Sequence, residues 1–199
     1  MGRHLIGVCG KARHGKTTVS DHLQSRYGYR ELSFADPMKR IIVDGLVRCP
    51  PPAHCIPDEI SGDIRDYWNH RVRVGRTPFT RWLLQFVGTE VGRTGFDPDV
   101  WVKIWEREYD RSSLTIAPDV RFPNEALAIH YFGGEIWRVV RTDADDLGVP
   151  GVEHGEKHAS ETEALEIRHD ILIAAPTGID NLRRLVDERM AAMRAEEMA

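Results

Sequence analysis

The chain has 199 residues, enough for one domain carrying an inserted lid and for a core that needs no covalent staples. Its 41% hydrophobic and 29% charged residues are those of an ordinary globular protein, and a net charge of −4 argues against holding duplex nucleic acid mainly through phosphate contacts. No apolar run approaches the roughly 18 residues of a membrane span, no signal-peptide pattern precedes Gly10, and three cysteines give no disulfide framework, so the expected compartment is the cytoplasm.

In chain order, His4 to Cys9 is a short apolar run ending at glycine and reads as a buried strand. Lys16 to Tyr27 has helical spacing, with Val19 and Leu23 four apart, and Gly28 is its stop. Glu31 to Phe34 reads as a second strand. Asp36-Pro37 then opens a helix to about Val47, with Asp36 as N-cap and proline at the first helical position. Cys49 to Pro57 holds four prolines and is irregular; Cys49, His54 and Cys55 within it match no zinc spacing. Gly62 to Val74 is polar and has no assignable element.

Thr77-Pro78 opens a helix with Trp82, Leu83, Phe86 and Val87 at helical spacing, and Asp97-Pro98 opens another with Val100, Trp101, Ile104 and Trp105 on one stripe. Leu114 to Ala117 is a strand, Asn124 to Phe132 a helix stopped by Gly133-Gly134, and Glu135 to Val140 a strand. Arg141 to Glu161 is polar, without core positions. Asp170 to Ala174 is the last strand and Ile179 to Met193 the last helix. Strands separated by helices predict an α/β fold, a three-layer α/β/α arrangement around a mainly parallel five-stranded sheet, with ligands gathering beyond the carboxyl ends of the strands. The whole of 1–199 reads as one domain. Its core is 1–48, 110–140 and 168–199, with a helical region at about 49–109 and a lid at about 141–161.

Gly10-Lys11-Ala12-Arg13-His14-Gly15-Lys16-Thr17 fits G-x-x-x-x-G-K-[ST] at every fixed place, after an apolar strand and at the head of a helix. Its glycines let backbone N–H groups approach phosphate oxygens, Lys16 neutralises charge between the β- and γ-phosphates, and Thr17 ligates Mg²⁺. Gly10, Lys11, Gly15, Lys16, Thr17 and Thr18 are the expected ATP-binding set. Arg13 and His14 are loop variables expected to face solvent.

Four further segments narrow the reaction. Ser33-Phe34-Ala35-Asp36-Pro37-Met38-Lys39 resembles the segment after the second strand of small-molecule P-loop kinases. The stretch Arg81-Trp82-Leu83-Leu84-Gln85-Phe86-Val87-Gly88-Thr89-Glu90, with Gly92-Arg93 and Asp97 to Trp101, resembles the middle signature of phage deoxynucleoside monophosphate kinases. Asp119-Val120-Arg121-Phe122-Pro123-Asn124-Glu125 resembles their second signature, and His158-Ala159-Ser160-Glu161 the close of their lid. The resemblance touches residues 5 to 185. It implies transfer of the γ-phosphoryl of ATP, with Mg²⁺, to the 5′-monophosphate of a deoxynucleoside, and, because the family contains dimers, a homodimer; the composition and charge already point to no membrane or nucleic-acid partner.

Two polyanions held face to face need cations on both sides of the reacting group. Lys16, Arg121 and Arg141 are the expected catalytic cations, and the resemblance implies that Asp36, Lys39, Arg81, Gln85, Thr89, Glu90, Arg93 and Trp101 form the acceptor-binding set. Thr17 and Asp119 are the expected metal ligands. The alternatives are plain. Asp119 also suits a helix N-cap or an ion pair with Arg121. Arg81, Gln85 and Thr89, four apart, also suit a solvated helix face, and Trp101 also suits the core. A kinase of a modified base within DNA, a kinase of another small metabolite and a P-loop ATPase module working on a protein partner are the competing readings.

Overall fold

A computed structural model describes residues 5–48, 63–73, 77–143 and 167–198. The Cys49–Cys55 stretch and the expected lid beyond Asp143 lie outside the described residues. In chain order the elements are β1 (Leu5–Cys9), α1 (Lys16–Tyr27), β2 (Arg30–Glu31), α2 (Asp36–Arg48), α3 (Ile64–Arg73), α4 (Pro78–Gln85) running into a π-helical stretch (Phe86–Thr94), α5 (Val100–Glu108), β3 (Thr115–Ala117), α6 (Pro123–Tyr131), β4 (Glu135–Arg141), β5 (Ile171–Ala175) and α7 (Ile179–Met198). No described helix is long and apolar enough to cross a membrane. The chain divides into two compact units, Met1–Phe34 with Glu108–Ala199, and Ala35–Arg107.

The first unit is the sheet and its covering helices. The strands run β2-β3-β1-β4-β5, and every pairing is parallel. This order puts β1 in the centre, and β1 is buried along its whole length, as a strand covered on both faces must be. Alternate residues go to opposite faces. Ile6, Val8, Trp137 and Val139 join Val19 and Leu23 of α1 and Leu182, Val186 and Met190 of α7. On the other face Gly7 sits beneath α6: a Cβ there would lie 3.1 Å from Ile129 and 2.7 Å from Ile136. The sheet is therefore sandwiched between α1 with α7 and α6, the three-layer α/β arrangement expected from the sequence. Each buried Leu, Ile or Val contributes roughly 1.5–3 kcal/mol relative to exposure.

The expected strand Glu31 to Phe34 is displaced. β2 is Arg30–Glu31, and Leu32 still donates its N–H to the Ile116 carbonyl at 2.9 Å. Ser33 and Phe34 leave the ladder because the Asp119 carboxylate takes the Ser33 hydroxyl at 2.6 Å and the Phe34 N–H at 3.0 Å.

The second unit is helical. The polar segment left without an element forms α3, which is anchored by Trp68 and Val72, one turn apart and buried with Met38, Ile42, Val43 and Trp101. The stripe expected on α4 splits. Leu83, Leu84 and Val87 pack on this core, whereas Trp82 and Phe86 are 53% and 41% exposed and stack on each other with ring centroids 5.2 Å apart. Trp105 is fully buried, as its spacing suggests.

Past Gln85 the helix widens to i→i+5 bonding, so the four-residue spacing of Arg81, Gln85 and Thr89 does not continue as one α-helical face. Close packing accounts for the change. A Cβ on Gly88 would lie 2.7 Å from the Met38 sulfur, and one on Gly92 would lie 2.6 Å from Trp101 Cζ2. Trp101 Nε1–H donates to the Gly88 carbonyl at 2.8 Å, which meets an acceptor the altered winding has re-aimed.

Candidate active site

The loop after β1 holds three left-handed residues in six: Gly10 at φ +137°, Arg13 at +64° and Gly15 at +100°. Glycine is required twice over. A Cβ on Gly10 would run into the Val139 carbonyl of β4, and one on Gly15 would come within 2.6 Å of Leu182 on α7. Gly15 is the N-cap of α1, it offers no capping side chain, and the first turn carries no acidic residue. The N–H groups at the head of α1 therefore stand ready for an external anion.

Lys16 folds back over this loop. Its Nζ donates to the Gly10 carbonyl at 2.8 Å and to the Lys11 carbonyl at 2.7 Å. Burial, followed by the neighbouring Arg121 guanidinium, drives its ammonium down to about 8. An ammonium held under such pressure gains from a phosphate brought beside it. Thr17 is exposed on the first turn, Thr18 is half-buried and Lys11 is exposed. Beneath the loop, burial pushes the Cys9 thiol up, which leaves it without nucleophile character at neutral pH.

Asp119, Arg121 and Arg141 lie at the carboxyl ends of β3 and β4. Asp119 does not cap α6. Glu125 does, accepting the Arg121 N–H at 2.7 Å and the Phe122 N–H at 3.1 Å. Asp119 instead fixes the chain after β2 while remaining near enough to Lys16 to favour its charge. Arg121 is exposed and electrostatically coupled to Lys16. Arg141 ends β4; its Nε lies 3.5 Å from Asp143 and is buried, with no hydrogen bond to it among the described residues. His14, expected at solvent, is half-buried, and its Nδ1 accepts the Arg141 N–H at 3.2 Å.

In the second unit, Asp36 is the first residue of α2, and one of its oxygens accepts from Lys39 at 3.1 Å and from Arg73 at 2.8 Å. Burial pushes the Asp36 carboxyl up, but the two cations outweigh it and hold it below the usual carboxylate range. Arg73 escaped sequence reasoning because it ends the helix that carried no assignable pattern. Arg81 and Glu90 are exposed, while Gln85, Thr89 and Arg93 are half-buried. Arg93 Nη1 donates to the Pro98 carbonyl at 3.0 Å, and Trp101 is 6% exposed. The unit therefore groups Asp36, Lys39 and Arg73 at the head of α2, with the remaining acceptor candidates on α4, the π-helical stretch and α5.

A glycine loop at the head of a helix, following the central strand of a parallel sheet, with a lysine folded over it, is consistent with a P-loop kinase fold. A protein of Acanthamoeba polyphaga mimivirus that bears the provisional name deoxynucleotide monophosphate kinase is 28% identical over 190 residues, covering 85% of this chain and 86% of that protein. No protein-family model matches the chain. The resemblance to deoxynucleoside monophosphate kinases seen in the sequence is consistent with this relative, which supports a nucleotide-kinase function.

Proposed function

We propose that the protein transfers the γ-phosphoryl group of ATP to the 5′-monophosphate of a deoxynucleoside. The observation that carries this reading is the strained cation at the head of α1. Lys16 sits among loop carbonyls, and burial and Arg121 outweigh the favourable pull of Asp119, so a phosphate brought beside it stabilises its charge. The relative's name and the arginine-rich signatures supply the reaction class.

The loop amides and Lys16 bind the β- and γ-phosphates. Arg121 and Arg141 stabilise charge on the transferring group, and Lys39 and Arg73, oriented by Asp36, bind the acceptor phosphate. The acceptor oxygen is already ionised near neutral pH, so transfer to it needs cations and no strong base. Gln85, Thr89, Glu90 and Arg93 read the acceptor, with Trp101 supporting the backbone that presents them. The exposed Thr17 hydroxyl and the Asp119 carboxylate, which already orders Ser33 and Phe34, are oxygen donors of the type a hard cation takes, and they would hold Mg²⁺ carried in with the nucleotide phosphates. Bound there, Mg²⁺ supplies charge neutralisation and orientation of those phosphates.

The test is ATP consumption across a panel of ribo- and deoxynucleoside monophosphates, modified pyrimidines included, beside single- and double-stranded DNA. Turnover with a free deoxynucleoside monophosphate is expected. Label reaching only polymer would transfer the reading to a DNA-modifying kinase, and slow hydrolysis without any acceptor would transfer it to an ATPase module.

A further inference from the structure

The register of β1 against β4 leaves a specific gap. β1 pairs Cys9 with Arg138 and then turns away into the phosphate loop, whereas β4 continues for three more residues to Arg141. On its other side β4 keeps its partner to the end, pairing Arg141 with Ala175 of β5. Where β1 no longer runs alongside, the Arg141 N–H meets the imidazole of His14, whose Nδ1 accepts it at 3.2 Å. The side chain thus replaces a strand partner across 127 residues of sequence. Accepting at Nδ1 places the ring proton of the neutral imidazole on Nε2.

We infer that His14 is a positioning residue that latches the phosphate loop to the end of β4 and so sets where Arg141 begins. This rests on the proposed phosphoryl transfer for its consequence, but the contact itself is independent of it. Two groups are held by one bond. The loop is left-handed at Gly10, Arg13 and Gly15; Lys16 anchors it from inside and His14 anchors it to β4. Arg141 carries the other end, with its guanidinium Nε buried and facing Asp143. Loss of the latch therefore loosens the phosphate-binding amides and the Arg141 backbone together. The effect falls on both ATP binding and the chemical step, and not on acceptor affinity.

The latch needs an acceptor at one place, which separates it from a packing role. Asparagine carries an oxygen near the position of Nδ1, while phenylalanine keeps the ring and has no acceptor. In H14A and H14F, kcat/KM for ATP is expected to fall about tenfold, the size of a lost buried hydrogen bond, while KM for the acceptor stays within twofold. H14N is expected to recover most of that loss. Amide hydrogen exchange read by NMR on the full chain supplies the second measurement: Arg141 protection should drop in H14A and H14F and persist in H14N. H14N as impaired as H14A in both measurements, or H14F indistinguishable from wild type, overturns the latch. A wild-type protein with normal Arg141 protection and no phosphoryl transfer would instead overturn the proposed function and leave the latch standing.

Discussion

Replacing Lys16 by methionine should make the protein more stable at neutral pH while removing its grip on nucleotide. The ammonium is driven from 10.5 to about 8 by burial and by Arg121. A shift of that size corresponds to roughly 3 kcal/mol of cost for keeping it charged in the folded chain. Its two bonds to the Gly10 and Lys11 carbonyls return about 1 kcal/mol each. The net gain on substitution is then about 1 kcal/mol, or a rise in Tm of about 2–4 °C for a chain of this length.

The pH dependence has a definite sign. With the folded pKa below the unfolded one, the unfolded chain holds more protons between pH 8 and 10.5, so wild-type stability rises with pH across that window. The cost is complete below pH 8 and gone above 10.5, so the advantage of K16M is greatest at neutral pH and shrinks through the alkaline window. Thermal unfolding of both proteins from pH 6.5 to 10.5, with and without Mg-ATP, measures all of this. At a hundredfold excess over Kd, nucleotide adds about 2.7 kcal/mol to the wild type; K16M should show almost none of it. A destabilised K16M at pH 7, or one still protected by ATP, refutes the picture of a strained cation awaiting phosphate.

Arg121→Ala should relieve Lys16, moving the alkaline fall of ATP affinity to higher pH, and should lower kcat by about a hundredfold as transition-state charge loses a donor. An alkaline limb that does not move would show that the two cations do not act on each other. Arg73→Gln should raise KM for the monophosphate about tenfold with little change in KM for ATP, since the charge-assisted bond it shares with Asp36 then orients nothing. Parallel losses for both substrates, read in steady-state kinetics, would make Arg73 a structural residue. Gly92→Ala should cost about 1–3 kcal/mol through overlap with Trp101, measured as a drop in denaturation midpoint, and an unchanged midpoint would contradict the close packing.

The first unit was readable because its signals are local. The strand–loop–helix run from Leu5 to Tyr27 carries its own glycines and its own stop at Gly28, whose φ is +74°. Five apolar runs alternating with helices were enough for the parallel sheet. The second unit was harder for physical reasons. α3 is polar apart from a few positions, and the two buried ones, Trp68 and Val72, are too sparse to set a period. The π-helical stretch arises from the approach of Met38 and Trp101 to two glycines, a tertiary cause that no helical spacing records. Arg73 was hidden with α3. His14 was expected at solvent because its partner, Arg141, is contributed by a distant strand. The early end of β2 has the same origin, since the carboxylate that claims Ser33 and Phe34 comes from Asp119.

The broadened winding between Phe86 and Thr94 also says something about how recognition here can change. One residue turns an ordinary helix by about 100°. A single-codon deletion in this run would let a wide turn contract to normal pitch, so that residues four apart instead of five apart share a face, with no side chain replaced. Which side chains this unit presents together is thereby set partly by the count of residues and not only by their identities.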